Sequence, residues 1–415
     1  MAVLPALSGL YEKTRLDNGL RIVTESVPFV RSIALGVWVH VGSRDEQLRE
    51  HGISHFLEHM LFKGTHNRNT FEIAHSMESL GGSLDAFTSR DVTCYYVRCL
   101  DENLVDALDV ISDMLKNSVF DPEEIEKEKR VVLEEIQTVE DTPDDLIHDL
   151  FARSVWGKHP VGFPIMGEPG TVRGFTRKMI SDFFQLHYQP DRIVISVAGN
   201  LEHRHLVDLC ERMFDLPSAS KMPSHRVSPG PVLHTSEHFQ RDIGQTHICL
   251  GSTACAYTHP KRYEQLIANT SLGEGMSSRL FQEIRERLGL AYSVYSYLEM
   301  LEDTGLFGTY LACDSKRVEE AVSIAQHEIK RLRREGITGD ELESSKAQLR
   351  GELILGQESM DKRMGRLAQQ EMYMGLYRPA EDSLSNIESV TGEGVLEACQ
   401  TLLDADNLHR VTVGP

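Results

Sequence analysis

Two histidines four positions apart, with a glutamate just before the second, form the run His55-Phe56-Leu57-Glu58-His59. On a helix advancing about 100° per residue, His55, Glu58 and His59 fall on one narrow face. Ile53, Phe56, Leu57, Met60 and Leu61 take the opposite face at i, i+3, i+4, i+7 and i+8. Such a helix buries an apolar stripe and presents two imidazoles and a carboxylate to whatever lies across from it. Histidines at i and i+4 can both reach one zinc ion at about 2.0–2.1 Å. The glutamate between them is then placed to work on a water rather than on the metal.

A catalytic zinc takes a third protein ligand and keeps a fourth position open. Asp121 as N-cap, Pro122 at the first helical position and Glu124 at the third predict a helix beginning at Pro122. It carries Glu123, Glu124, Glu126, Glu128, Glu134, Glu135 and Glu140. Ile125, Val132, Ile136 and Val139 form its expected buried stripe, Glu128 and Glu135 lie at the edge of that stripe, and Glu134 points away. A carboxylate at such a border needs a partner, and a metal would supply one. One of Glu128 and Glu135 is therefore expected as the ligand, the other as its support.

These residues need a scaffold. A length of 415 residues implies about two to three domains, and the apolar content of 40% is enough for large cores. A proline- and serine-rich stretch from Leu216 to Val232 reads as a linker. It leaves a segment 1–215 and a segment 233–415 with the same order of parts. A strand-like run (Ile33 to Val41; Thr246 to Gly251) precedes a helical stretch and then a charged helix. The starts of those charged helices, Asp121-Pro122 and Thr338-Gly339, align at a constant offset of 217 that sets Glu135 opposite Glu352. A duplicated α+β domain is the natural reading.

The net charge of −20 argues against a nucleic-acid partner, since a phosphate backbone would be repelled over most of the surface. Seven cysteines without a CxxC pair speak against a disulfide framework or a thiolate zinc site and fit a reducing compartment. No apolar run approaches the roughly 18 residues that cross a bilayer, and the first residues lack the features of a secretory or transit leader. A cytoplasmic location without membrane association is expected.

HxxEH is the inverted form of the HExxH motif of metalloproteases. With Glu135 76 positions beyond the second histidine, in the setting Glu128-Lys-Arg-Val-Val-Leu-Glu-Glu135, the chain resembles the M16 (pitrilysin-type) metallopeptidases. Within them it is most similar to the β-like processing-peptidase subgroup and its bacterial homologues. The resemblance covers essentially the whole chain. It implies two similar αβ-roll domains joined by the linker, with only the first carrying zinc, one Zn²⁺ per chain. It also implies that His55, His59 and Glu135 are the ligands, Glu58 the general base, and Glu128 an acidic neighbour important for activity.

Further stretches match. Leu84, Asp85, Ala86 and Phe87, within Gly81–Arg90, resemble the family's edge strand on which the substrate peptide lies. The family usually has asparagine where this chain has Asp85. Arg285 and Tyr292 resemble a substrate-contacting pair that faces the zinc in a closed chamber. In the two-chain subgroup that pair is expected from the partner, so the resemblance implies a homodimer in which the second half of one chain completes the site of the other. Asp145 and Asp149 match acidic positions that receive an arginine just before the cleaved bond, and a carboxylate pair suits a guanidinium. The implied substrate is an extended or unfolded peptide, basic or presequence-like in character.

Overall fold

The computed structural model describes residues 9–216, 226–230 and 232–415, so most of the expected linker, including residues 217–225, lies outside the described residues. The first sheet consists of β1 (Leu10–Arg15), β2 (Arg21–Ser26), β3 (Ser32–Val39), β4 (Ser83–Thr88), β5 (Thr93–Leu100) and β6 (Ile193–Gly199). Their order is β1-β2-β6-β3-β5-β4. β2 and β6 run parallel and every other neighbouring pair is antiparallel. The second sheet consists of β7 (Ser236–Gln240), β8 (Thr246–Ala254), β9 (Ala291–Met300), β10 (Gly305–Cys313) and β11 (His409–Gly414) in the order β7-β11-β8-β10-β9. Here β7 and β11 are the parallel pair. With β1 set aside, the two sheets have one topology, which is the duplication expected from the offset of the charged helices.

Both helices of that repeat begin where their caps put them, at Pro122 and Gly339. Asp121 accepts the Glu123 and Glu124 amides at 2.8 and 3.3 Å. Thr338 and Glu341 close a reciprocal capping box at 3.2 and 2.7 Å. Charge along these two helices is solvated on one side. The buried residues of Pro122–Glu140 are Ile125, Glu128, Val132 and Ile136, and Val139 is half-buried.

Alternation along the strands gives each sheet two apolar faces. In the first sheet Ile33, Leu35, Val37 and Val39 enter one core with Phe56, Leu57, Met60 and Ile111. Ala34 and Trp38 enter another with Val194, Ala198, Met360, Met364, Leu367 and Ala368. The helix Met360–Met374 lies across β2, β3 and β6, although by sequence it belongs to the second repeat. Trp38 Nε1 meets Met364 Sδ at 3.2 Å, Ser196 Oγ donates to the Met364 carbonyl at 2.7 Å, and Arg363 pairs with buried Glu25.

The second sheet shows the same device. Ile248, Leu250, Phe307 and Leu311 face one core, while Cys249, Leu306, Tyr310, Val411 and Val413 face Ile147, Phe151, Val155 and Trp156 of the helix Pro143–Trp156. Pro143 and Met360 are again 217 positions apart. The compact units are therefore woven from both repeats: one comprises 1–136, 164–226 and 354–381, the other 137–163, 227–353 and 382–415. A sheet apolar on both faces needs a helical layer on each, and the second layer comes from the equivalent helix of the other repeat. All seven cysteines are buried and free. Among the described residues, no helix is long and apolar enough to cross a membrane.

Candidate active site

The motif helix spans Ile53–Leu61, and Ile53, Phe56, Leu57, Met60 and Leu61 are all buried, as the spacing requires. Its start is fixed from two sides. Gly52, the N-cap, has φ of +89°, and a Cβ there would come within 2.4 Å of the Met166 carbonyl oxygen, so only glycine fits. Buried Glu46 accepts the Gly52 and Ser54 amides, each at 2.8 Å, and satisfies donors that a helix start leaves open. Neither role of Glu46 is visible in the sequence, because the residue precedes the helix by seven positions.

Across from this helix, the Pro122–Glu140 helix brings up Glu128 and Glu135. His55 Nε2 and His59 Nε2 lie 3.9 and 3.7 Å from Glu135 Oε2. These three side chains are the one group among the described residues with ligand atoms close enough to share a metal ion. Glu135 Oε2 is shielded from solvent and has no hydrogen-bond partner, and the same holds for His55 Nδ1. His59 Nδ1 contacts Glu128 Oε1 at 2.7 Å, and the other oxygen of Glu128 takes Lys63 Nζ at 2.7 Å. With the Nδ1 proton given to Glu128, the Nε2 lone pair of His59 points toward a carboxylate oxygen. Two electron-rich atoms so placed call for a cation between them.

The electrostatics agree. Burial, with His59 acting in the same sense, pushes His55 down to about 4, so its imidazole is neutral and able to ligate. Burial also works to lower His59, but the Glu128 hydrogen bond and the charges of Glu135 and Glu128 outweigh it and hold the imidazole above its ordinary value. Glu128 is held below the usual carboxylate range: burial opposes this, and the bonds to His59 and Lys63 overcome it. Donor set, orphaned oxygen and neutral His55 together fit zinc, and of the two carboxylates left open on spacing alone, Glu135 is the one with an oxygen facing both imidazoles, at 3.9 and 3.7 Å.

Glu58 is buried beside this group, its Oε2 accepting the Thr88 hydroxyl at 2.5 Å. Burial raises its carboxyl above the usual range, against the Thr88 hydrogen bond and the charge of His59. A carboxylate shifted upward is a better proton acceptor. Thr88 ends β4, which is the outermost strand of its sheet. Leu84, Ala86 and Thr88 alternate with more exposed Ser83, Asp85 and Phe87. Leu84 and Ala86 pack on the core beneath the motif helix, and the Phe87 ring stands edge-on to Trp38 with centroids 5.4 Å apart.

The remaining residues expected at the site belong to the second compact unit. Arg285 Nη1 donates to the Tyr292 carbonyl at 2.9 Å, and its guanidinium stacks over the Tyr292 ring at 4.4 Å. The two form a pair, with Tyr292 76% exposed. Asp145 and Asp149 lie one turn apart on the Pro143–Trp156 helix, Asp145 exposed and Asp149 half-buried. Thr88 and Lys63 are the site residues that sequence reasoning missed. For Lys63 the available signal was its position one turn beyond His59 on the motif face.

Comparison with known proteins supplies the family. Residues 21–169 match the model described as insulinase (peptidase family M16), and residues 174–349 match the M16 inactive domain. An uncharacterised zinc protease of Streptomyces coelicolor is 40% identical over 95% of this chain and 88% of its own length. The uncharacterised zinc protease YmxG of Bacillus subtilis is 40% identical over 94% of this chain and 95% of its own. A protease from Helicobacter pylori of known structure superposes with a TM-score of 0.91 at 22% identity, covering 98% of this chain and all of that one. Two matched M16 domains and relatives this similar over nearly the full length place the chain in peptidase family M16.

Proposed function

We propose that the chain is a zinc-dependent endopeptidase that cuts extended or unfolded peptides, basic ones preferentially. The observation that carries this reading is the convergence of His55, His59 and the orphaned Glu135 oxygen beside a buried, up-shifted Glu58. His55, His59 and Glu135 would hold one Zn²⁺. The ion, when bound, acidifies water and polarises a peptide carbonyl. Glu58 accepts the proton of the attacking water and returns it to the leaving amine, and Thr88 fixes the carboxylate that does so. Glu128, anchored by Lys63, orients His59 from behind.

The open side of β4 offers main-chain donors and acceptors to a peptide added as a further strand. That mode of holding excludes a folded substrate. Asp145 and Asp149 are suited to a guanidinium of the substrate, and Arg285 and Tyr292 to its backbone or carboxyl groups. By resemblance to the processing-peptidase subgroup, we place these in a closed chamber of a homodimer, each chain completing its partner's site. Seven buried thiols without a disulfide support a cytoplasmic location. The test is digestion of a mixed peptide library by wild type and Glu58→Gln, read by mass spectrometry. Cuts made by the wild type alone, enriched near lysine and arginine, are expected. Cuts by neither protein, or by both equally, would overturn the assignment.

A further inference from the structure

β4 pairs with β5 on one side only, so alternate main-chain groups along it have no partner in the sheet. One of its amides is already engaged. The Ala86 N–H donates to Oδ1 of Asp85 at 2.8 Å, a side chain folded back on the next residue of its own strand. The other oxygen, Oδ2, accepts the Tyr96 hydroxyl at 3.2 Å from β5. Asp85 is exposed, and among the described residues no lysine, arginine or histidine pairs with it. Arg98, the cation nearest along β5, is committed to Asp361 at 2.7 Å and to the Tyr96 ring. The edge strand proposed for peptide capture thus carries a carboxylate lacking a counter-ion, and that carboxylate sits on one of the strand's own donors.

We propose that Asp85 determines which peptides the β4 edge accepts, holding the Ala86 amide until a lysine or arginine side chain of the incoming strand draws the carboxylate away. The proposal rests on the peptidase reading above and adds to it a residue and a position. A neutral peptide must displace a charge-assisted hydrogen bond to reach the Ala86 amide and gives nothing back. A basic residue seated next to that amide exchanges the bond for an ion pair and frees the donor for main-chain pairing. The same self-capping discourages a second copy of the sheet from adding to the edge. Asp85 stands three positions before Thr88 on β4, and the Thr88 hydroxyl bonds Glu58, so the selected side chain is one close to the cleaved bond.

The experiment compares a cleaved peptide carrying arginine with one carrying citrulline, its neutral isostere, at each position flanking the bond in turn. Both are digested by wild type and Asp85→Asn, and the kcat/KM ratio is the readout. At one position arginine is expected to exceed citrulline by about three- to tenfold in the wild type, with the ratio near one in Asp85→Asn. A preference that survives in Asp85→Asn and disappears in Asp145→Asn or Asp149→Asn belongs to that other pair; if every preference behaves so, the proposal falls. Binding of the same peptides to Glu58→Gln, with and without Asp85→Asn, separates the two readings. Discrimination through Asp85 there, without cleavage by the wild type, sinks the peptidase and keeps the selector. Equal discrimination in both backgrounds sinks the selector, whatever is cleaved.

Discussion

At the scale of the residue, the site is a relay of charge in which no member acts alone. Lys63 neutralises Glu128, Glu128 fixes the His59 tautomer, and His59 offers its other nitrogen toward Glu135. Without the ammonium, Glu128 would be a buried carboxylate with one partner, and its hold on the imidazole would loosen. Lys63→Met should therefore weaken zinc binding by about tenfold, the scale of losing a group that supports a metal ligand, in a titration against a chromophoric chelator. Unchanged affinity would show that Glu128 needs no counter-ion. His187 makes a different prediction. Burial, with the charge of Arg192 acting the same way, pushes its imidazole down to about 4, against 6.5 or so in an unfolded chain. Between those values the unfolded chain takes up a proton that the folded one refuses. Stability is then unaffected by this group above about 6.5 and falls as pH drops toward 4, by at most about 1.4 kcal/mol per pH unit. Urea unfolding across that range should show a shallower slope for His187→Asn. An identical slope would mean that other groups set it.

At the scale of the element, what the sequence made legible was what local rules control. The motif helix, its buried stripe, and the two charged helices capped at Asp121 and Thr338 depend on neighbours within a turn or two, and they stand where those neighbours put them. The edge position of Leu84–Phe87 came from resemblance and is met by β4. The reciprocal exchange of Pro143–Trp156 and Met360–Met374 was not legible. Periodicity shows that a helix has an apolar face, not which sheet that face will cover. Thr88 bonding to Glu58 and Glu46 capping the motif helix escaped for a similar reason, since the first pairs residues far apart in sequence and the second crosses a loop, each with no distinctive spacing. The exchange has a direct consequence. A fragment of residues 1–215 lacks the helix that covers Val23, Ala34, Trp38, Val194 and Ala198. It should expose that face, bind a hydrophobic dye and lose a sharp thermal transition. In the full chain, Leu367→Ala should cost about 2–5 kcal/mol, read from chemical denaturation. A fragment that melts as cooperatively as the whole chain would contradict this account of the core.

At the scale of the whole molecule, the duplication yields two sheets of one topology, and the residues proposed for the site divide between the compact units: His55, His59, Glu135 and the edge strand fall in one, the Pro143–Trp156 helix and the Arg285–Tyr292 pair in the other. If chains complete one another as proposed, a His55→Ala chain and an Arg285→Ala chain, each inactive alone, should regain activity when mixed, to about a quarter of the wild-type level for random dimers. No recovery, with dimers present by sedimentation, would place both sets of residues in a single chain's site. The proposed catalysis requires Glu58 to act on the substrate's water while His55, His59 and Glu135 hold the metal. The most direct test is turnover per bound zinc, measured on wild type and Glu58→Gln prepared side by side. The account predicts about one zinc per chain in both, with turnover in Glu58→Gln lower by at least about two orders of magnitude. Wild-type turnover by Glu58→Gln at equal zinc content would contradict it.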